Sequence, residues 1–384
     1  MMLIRNAMIH DAIHPEADKG DILIRGGKLV QVGGSADAEP GEEILDAEGL
    51  NAYPGFVDAH SHIGLDDTGG PTGGANDYNE MNDICCPQLR GMDSYYPQDP
   101  AIPAALAGGV VTVGTGPGSA NVLGGSFLAV KLCGNSVDDA AIDTCVAMKC
   151  AFGENPKRCY KDKNNSARMS TAAKIREALF SARDYMLRKD AAGDDVTKMP
   201  RFDMKAEALI PVLRREIPLK AHAHRADDIL TALRIAREFG VRITLEHCTE
   251  GHLIVEELKR AAVPVAVGPT LGVASKLELM NKSWTTPGIL AEAGLSVSII
   301  TDAPVIPEQY LPLCAGLAVK AGMDPFKALQ AITINPARHL GVEARVGSLE
   351  VGKDADIVLC LGDPMVSDSR IEKVIVDGIV RAGA

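Results

Sequence analysis

The hydrophobic rhythm of the 384-residue chain changes twice along its length. Over residues 22–34, ILIRGGKLVQVGG, apolar and polar positions alternate around a Gly-Gly turn, which predicts a hairpin inside a small β unit over residues 1–53. From Tyr53 onward, apolar runs of strand length are followed by helical stretches, the signature of βα repeats and a parallel sheet. The clearest unit is IPLKAHAH, then RADDILTALRIAREFG, then VRITLEH. Its middle places Ile229, Leu233 and Ala236 at helical spacing, with Asp227 and Asp228 at the N-terminal end and Gly240 as the stop. The same pattern predicts strands at 54–60, 109–115, 126–132, 145–150, 217–222, 241–247, 263–268 and 295–301. Eight strands with helical connections fit a closed (β/α)8 TIM barrel over residues 54–342. The tail, residues 343–384, returns to Gly-punctuated apolar runs without helical period. Two short β segments at opposite chain ends cannot each form a core alone, so the tail is expected to complete the unit begun by residues 1–53.

Composition adds exclusions. Hydrophobic residues at 46% and charged residues at 23% describe an ordinary globular chain rather than a disordered or collagen-like one. A formal net charge of −12 opposes general attraction to nucleic acid or an anionic membrane, which directs attention to a small-molecule substrate. The N-terminal run is broken by Arg5, His10, Asp11 and His14, and no stretch reaches the roughly 18 apolar residues of a membrane span, so a cytoplasmic location is expected. Nine cysteines without CxxC spacing suit reduced thiols. Cys248, beside a histidine of interest, is expected as a small buried residue, with a nucleophilic role as the alternative.

Candidate chemistry gathers at predicted strand ends. In PGFVDAHSHIG, His60 and His62 close the first barrel strand, and residues two apart share a face, so both imidazoles can converge on one ion. An H-x-H pair alone is equally an ordinary hydrogen-bonding pair. It is joined by Lys149 in CVAMKCAFG, His222 in LKAHAH, His247 in ITLEHC and Asp302 in SIITDAP, which fall on strands 4, 5, 6 and 8. Barrel active sites collect at the C-terminal ends of strands, so the set points to one site. His224 shares a face with His222, and on spacing either can serve as the ligand. His10, His14, His252 and His339 read as ordinary helix or surface histidines, and Lys131, at the end of strand 3, is a weaker rival to Lys149.

Taken together, ILIRGGKLVQVG, PGFVDAHSH, LEHCTEG, ITDAP, TINPARHLGV and GSLEVGKDADIVL resemble the amidohydrolase superfamily, in the group of imidazolonepropionase-related amidohydrolases. The resemblance covers nearly the whole chain and implies a metal-carrying barrel joined to a small β-sandwich built from both chain ends. By that resemblance His60, His62, His222, His247 and Asp302 are metal ligands, and His222 is preferred over His224, whose expected role is to contact substrate or support a ligand. Lys149 matches a lysine that many relatives carry as a carbamate. A free ammonium cannot bind a dication, whereas the carbamate is an anionic oxygen ligand able to bridge two metals. The alternative is a lysine that pairs with an acid or holds a substrate anion. The implied cofactor is a pair of divalent ions, zinc by default, with manganese, iron and cobalt as alternatives. Such ions supply hydroxide and polarise a carbonyl, while Asp302 carries the proton to the leaving nitrogen. Family habit implies a homo-oligomer.

Two departures shape the substrate expectation. HAHRADDI offers no glutamate before Glu238 where deaminases of the superfamily place a proton shuttle, and no arginine follows the H-x-H pair until Arg90, unlike imidazolonepropionases proper. Hydrolysis of an amide, peptide-like or cyclic amide bond is therefore expected ahead of deamination. The segment 149–168 carries Lys149, Lys157, Arg158, Lys161, Lys163 and Arg168 against Glu154 and Asp162, which suggests that Lys157, Arg158 or Arg225 contacts a substrate carboxylate, a solvated basic loop being the alternative. The runs GGPTGG and GTGPGSANVLGG lack a P-loop ending and read as sharply bent barrel loops, the first as a candidate lid with Asn79 and Glu80. A catalytically inactive scaffold is the remaining alternative, opposed by the intact ligand set.

Overall fold

The expected hairpin forms between β2 and β3 of a sheet that begins with β1 (Met2–Ile9), β2 (Asp18–Arg25), β3 (Lys28–Val32), β4 (Glu43–Asp46) and β5 (Asn51–Pro54). These elements belong to a computed structural model that describes residues 1–66 and 77–383. The barrel follows as β6 (Phe56–Ser61), β7 (Val110–Thr115), β8 (Leu123–Lys131), β9 (Ala141–Ala151), β10 (Leu219–Ala223), β11 (Ile243–His247), β12 (Val265–Val267) and β13 (Val297–Ile299). The chain then returns through β14 (Ile357–Leu361), β15 (Arg370–Val376) and β16 (Ile379–Gly383). β14 lies antiparallel to β5, so both chain ends share one sheet in the order β16-β15-β14-β5-β1-β2-β3, with β4 beside β1. Its own core draws Ile4, Ile22, Ile24 and Leu29 from one end and Ile357, Leu359 and Ile375 from the other, which is why neither end could stand alone.

The second sheet runs in chain order from β6 to β13 and curls into a nearly closed barrel. At the seam the Asp302 amide donates to the His60 carbonyl at 3.2 Å and the His62 amide donates to the Ala303 carbonyl at 2.8 Å, which brings the end of strand 1 beside the turn after strand 8. The helix Ala226–Phe239 forms as its apolar spacing requires: Ile229, Leu233 and Ala236 are buried in the same core as Leu219, Ile243 and Leu245, and Gly240 closes it at φ 68°.

One strand departs from the regular pattern. β8 runs antiparallel to both β7 and β9, because the connection 116–122 is a tight Gly- and Pro-containing turn, whereas parallel neighbours need a crossover of about a dozen residues or more. This reversal puts GTGPGSANVLGG on the face where the other strands end and sends Lys131 to the opposite end of the barrel. There Lys131 is buried, 2.8 Å from Asp354 and 3.0 Å from Asp356, with Asp377 as a third partner, and it ties the barrel floor to the chain-end sheet. Lys131 is therefore no rival to Lys149. Among the described residues no helix is long and apolar enough to cross a membrane, and all nine cysteines are free.

Candidate active site

Parallel strands aim their C-terminal residues at one mouth, and His60, His62, Lys149, His222, His224, His247 and Asp302 all lie there, nearly or fully buried except for the half-buried Asp302. Two donor groups result. One nitrogen each from His222, His224 and His247 lie within 4.8 Å of one another, as do donor atoms of His60, His62 and Asp302. Lys149 stands at the second group, its Nζ 2.9 Å from His60 Nε2. His247, the last residue of β11, and Asp302, in the turn after β13, take φ values of 73° and 54°, a conformation that costs a side-chain-bearing residue strain.

Four of the five imidazoles are oriented from behind. His62 Nδ1 donates to the Gly116 carbonyl at 2.7 Å, His247 Nδ1 to the Gly268 carbonyl at 2.8 Å and His60 Nδ1 to Glu246 Oε2 at 2.9 Å. A carbonyl or carboxylate only accepts, so in these three rings the hydrogen is on Nδ1 and the Nε2 lone pair faces the mouth. His224 Nδ1 is bonded to Thr249 Oγ1 at 2.8 Å, which leaves its Nε2 in the same position. Burial pushes His60, His222 and His224 well below the usual imidazole range and His247 down to about 4, so all four are neutral bases. Burial raises the Asp302 carboxyl, and only positive charge beside it, on His247 first, would pull it below its ordinary value. Burial brings the Lys149 amine down to about 7.

The donor set suits a divalent ion. Both ring nitrogens of His222 and Nε2 of His247 are buried without a hydrogen-bond partner among the described residues. An unsatisfied buried polar atom costs about 1–3 kcal/mol, and a bound cation is the species that neutral imidazole lone pairs can satisfy together.

Beneath the mouth lies a charge hub. Fully buried Glu246 accepts from His60 Nδ1, from Lys220 Nζ at 2.8 Å, from His339 Nε2 at 2.8 Å and from Thr244 Oγ1 at 2.8 Å. His339 is thus a buried structural partner rather than a surface histidine. Asp58 fixes the seam from below, accepting from the His60 amide at 2.9 Å and from the Thr301 amide at 2.8 Å.

A cavity of about 340 Å³ opens over the two donor groups, lined by His62, His222, His224 and Asp302 and by Asn155, Arg158 and Lys276. Of the three basic residues expected to meet a substrate carboxylate, only Arg158 reaches it. Lys157 is not in the lining, and Arg225 is turned away to Asp227, with Nη2 3.0 Å from Oδ2. Asn79 and Ser119 also line the cavity, while GGPTGG lies outside the described residues. Cys248 is fully buried and burial raises its thiol to about 12, which fits packing and not nucleophilic attack. Sequence reasoning missed Glu246, Lys276 and Glu278. Glu246 precedes His247 directly and carried a signal, whereas Lys276 and Glu278 sit in an aperiodic loop that carried none.

The family model for the amidohydrolase family matches residues 51–380, and the chain belongs to that family. It is an amidohydrolase-superfamily hydrolase, in a family that generally uses divalent metals. A crystal structure of an amidohydrolase from Thermotoga maritima MSB8 is 40% identical, with a TM-score of 0.96 and full coverage of both chains. Amidohydrolase tasK of Hapsidospora irregularis is 30% identical over 94% of this chain, which spans 39% of that protein's length. A 5'-deoxyadenosine deaminase of Methanobrevibacter smithii is 22% identical over 93% of this chain and 83% of its own length.

Proposed function

We propose that the protein is a metal-dependent hydrolase that cleaves the C–N bond of a small amide, peptide-like or cyclic amide substrate bearing a carboxylate. The observation that carries the reading is the setting of Lys149. It is fully buried, beside His60 Nε2, with no carboxylate at ion-pair distance among the described residues. An amine brought to about 7 by burial is free of its proton in roughly half of the molecules at neutral pH, and a free amine adds CO2 to give a carbamate. His60, His62 and Asp302 would hold one ion and His222 and His247 the other, and a Lys149 carbamate would add an anionic oxygen donor beside His60. Zinc is the default because imidazole and carboxylate donors suit it, with manganese, iron and cobalt as the alternatives that elemental analysis decides.

Bound divalent ions supply a hydroxide equivalent at neutral pH and polarise the scissile carbonyl. Asp302 takes the proton released as the nucleophile forms and delivers it to the leaving nitrogen, so that water is added across the C–N bond with no covalent enzyme intermediate. Arg158 meets the substrate carboxylate across the cavity, where a guanidinium offers paired donors.

The test is a screen of N-acyl amino acids, dipeptides and lactams with metal-loaded protein, quantifying new carboxylate and amine. The expected result is equimolar carboxylate and amine from at least one acidic substrate. Ammonia released from nitrogen heterocycles instead would replace this reading with an aminohydrolase, as the deaminase-named relative allows. A folded protein that binds no metal after reconstitution would point to a scaffold.

A further inference from the structure

Two histidines, His222 and His247, are proposed for the second ion, yet three imidazoles stand there. His222, His224 and His247 form a mutual cluster with ring centroids 4.3 to 4.7 Å apart. The nitrogens they present lie within 4.8 Å of one another. His224 is anchored from behind as well: Nδ1 is bonded to Thr249 Oγ1, and the ring lines the cavity. The three rings crowd one buried pocket, and among the described residues His222 has no hydrogen-bond partner on either nitrogen.

A fourth group stands beside the three. Glu278, fully buried on the loop after β12, puts Oε1 4.0 Å from His222 Nε2 and 3.9 Å from His224 Nε2. Its placement is built in. Oε2 accepts from the Glu154 amide at 2.8 Å, and the Glu278 amide donates in return to Glu154 Oε1 at 3.1 Å. The adjoining residue has to be glycine: a Cβ at Gly153 would lie 2.4 Å from Glu278 Oε2. Lys276 Nζ, 2.7 Å from Oε1, partly offsets the charge and is itself held by Asn155 at 3.1 Å.

We infer that His222, His224 and His247 form a self-sufficient metal site, with the Glu278 carboxylate on its open side, that holds its ion without help from Lys149. Three protein ligands and an open position are what a catalytic zinc site requires, and three imidazoles meet that number with no carbamate. The other group has two imidazoles and Asp302 and is the one that depends on a Lys149 carbamate. The two ions therefore differ in their need for CO2. This rests on the proposed metal-dependent reading and extends it to unequal sites.

The experiment is Lys149→Met, which keeps the buried length of the side chain and removes the amine, loaded with zinc and analysed for metal per chain and by X-ray absorption. The expected result is about one zinc per chain, against about two in the parent protein, with three imidazole ligands per zinc. In the double variant Lys149→Met/His224→Asn, occupancy falls below about one fifth of a zinc per chain at the same free zinc. Loss of all zinc in folded Lys149→Met, or one zinc with only two imidazoles, overturns the inference. The imidazole count is read on Lys149→Met alone, so a double variant that fails to fold leaves the decision intact. A parent protein without metal would instead sink the proposed function, which separates the two failures.

Discussion

Replacing Glu246 by glutamine should weaken the fold and the metal site together. Glu246 is fully buried and its two oxygens serve four donors, with His60 Nδ1 and Lys220 Nζ on Oε2 and His339 Nε2 and Thr244 Oγ1 on Oε1. Glutamine keeps one acceptor oxygen and turns the other into a donor. The Thr244 hydroxyl can rotate and His339 can change tautomer, so the amide nitrogen goes to their side and the oxygen stays with His60 and Lys220. What cannot be restored is charge, because the Lys220 amine is left in the interior with the Ala59 carbonyl as its other partner, 2.9 Å away. Removing one member of a buried ion pair costs about 3–5 kcal/mol. At roughly 2.1 cal/mol/K of unfolding entropy per residue, a chain of 384 residues has about 0.8 kcal/mol/K, which converts that cost to a fall in Tm of about 4–6 °C. The weaker acceptor behind His60 should also lower metal affinity about 10- to 100-fold. Scanning calorimetry on metal-free protein and competition with a chromophoric chelator read the two effects separately. Glu246→Gln/Lys220→Met, which leaves no stranded ammonium, should recover at least half of the lost Tm. A single variant within about 1 °C of the parent, or a double variant less stable than the single, would refute the reasoning.

Other expectations follow from the same geometry. Asp302→Asn should keep the fold and lower kcat by about 10²- to 10⁴-fold, as loss of a proton carrier does, and a variant within threefold of the parent on the same substrate would remove Asp302 from the chemistry. Arg158→Ala should raise KM for an acidic substrate at least tenfold with little change in kcat, and an unchanged KM would place the carboxylate elsewhere. Stability of metal-free protein should fall as pH drops: burial brings folded His247 to about 4, so the unfolded chain, with an ordinary imidazole near 6.5, takes up protons first, and the loss runs from about 6.5 down to about 4. His60, His222 and His224 are depressed in the same direction, so a urea midpoint higher at pH 5 than at pH 7.5 would contradict this. Gly153→Ala meets both a φ of 82° and the Glu278 carboxylate, and should cost about 1–3 kcal/mol in urea unfolding, a neutral substitution being the contrary result.

The parts of the fold legible in the sequence are those where burial imposes a period. The stripe Ile229, Leu233 and Ala236 announces its helix because one face must meet β10 and β11, and the eight barrel strands are visible as short, largely buried runs of strand length. Strand direction is not encoded in that period. The reversal of β8 is written only in the shortness of the connection 116–122, so Lys131 looks like a mouth residue until chain direction is known. The strand-end groups His60, His62, Lys149, His222, His247 and Asp302 are legible because a barrel gathers such ends at one face. Lys276 and Glu278 reach the same face from a loop held by the Glu154–Glu278 exchange, a pairing of residues far apart in sequence with no local pattern. His339 looks ordinary on its short helix, and only the folded chain brings it to Glu246.

A hydrolase built on bound divalent metal must carry that metal, so metal per folded chain is the quantity to measure. Protein purified without chelator and reconstituted with zinc in bicarbonate-containing buffer should carry about two ions per chain by elemental analysis, one for each donor group. Folded protein that holds less than about a tenth of an ion per chain under those conditions would contradict the account.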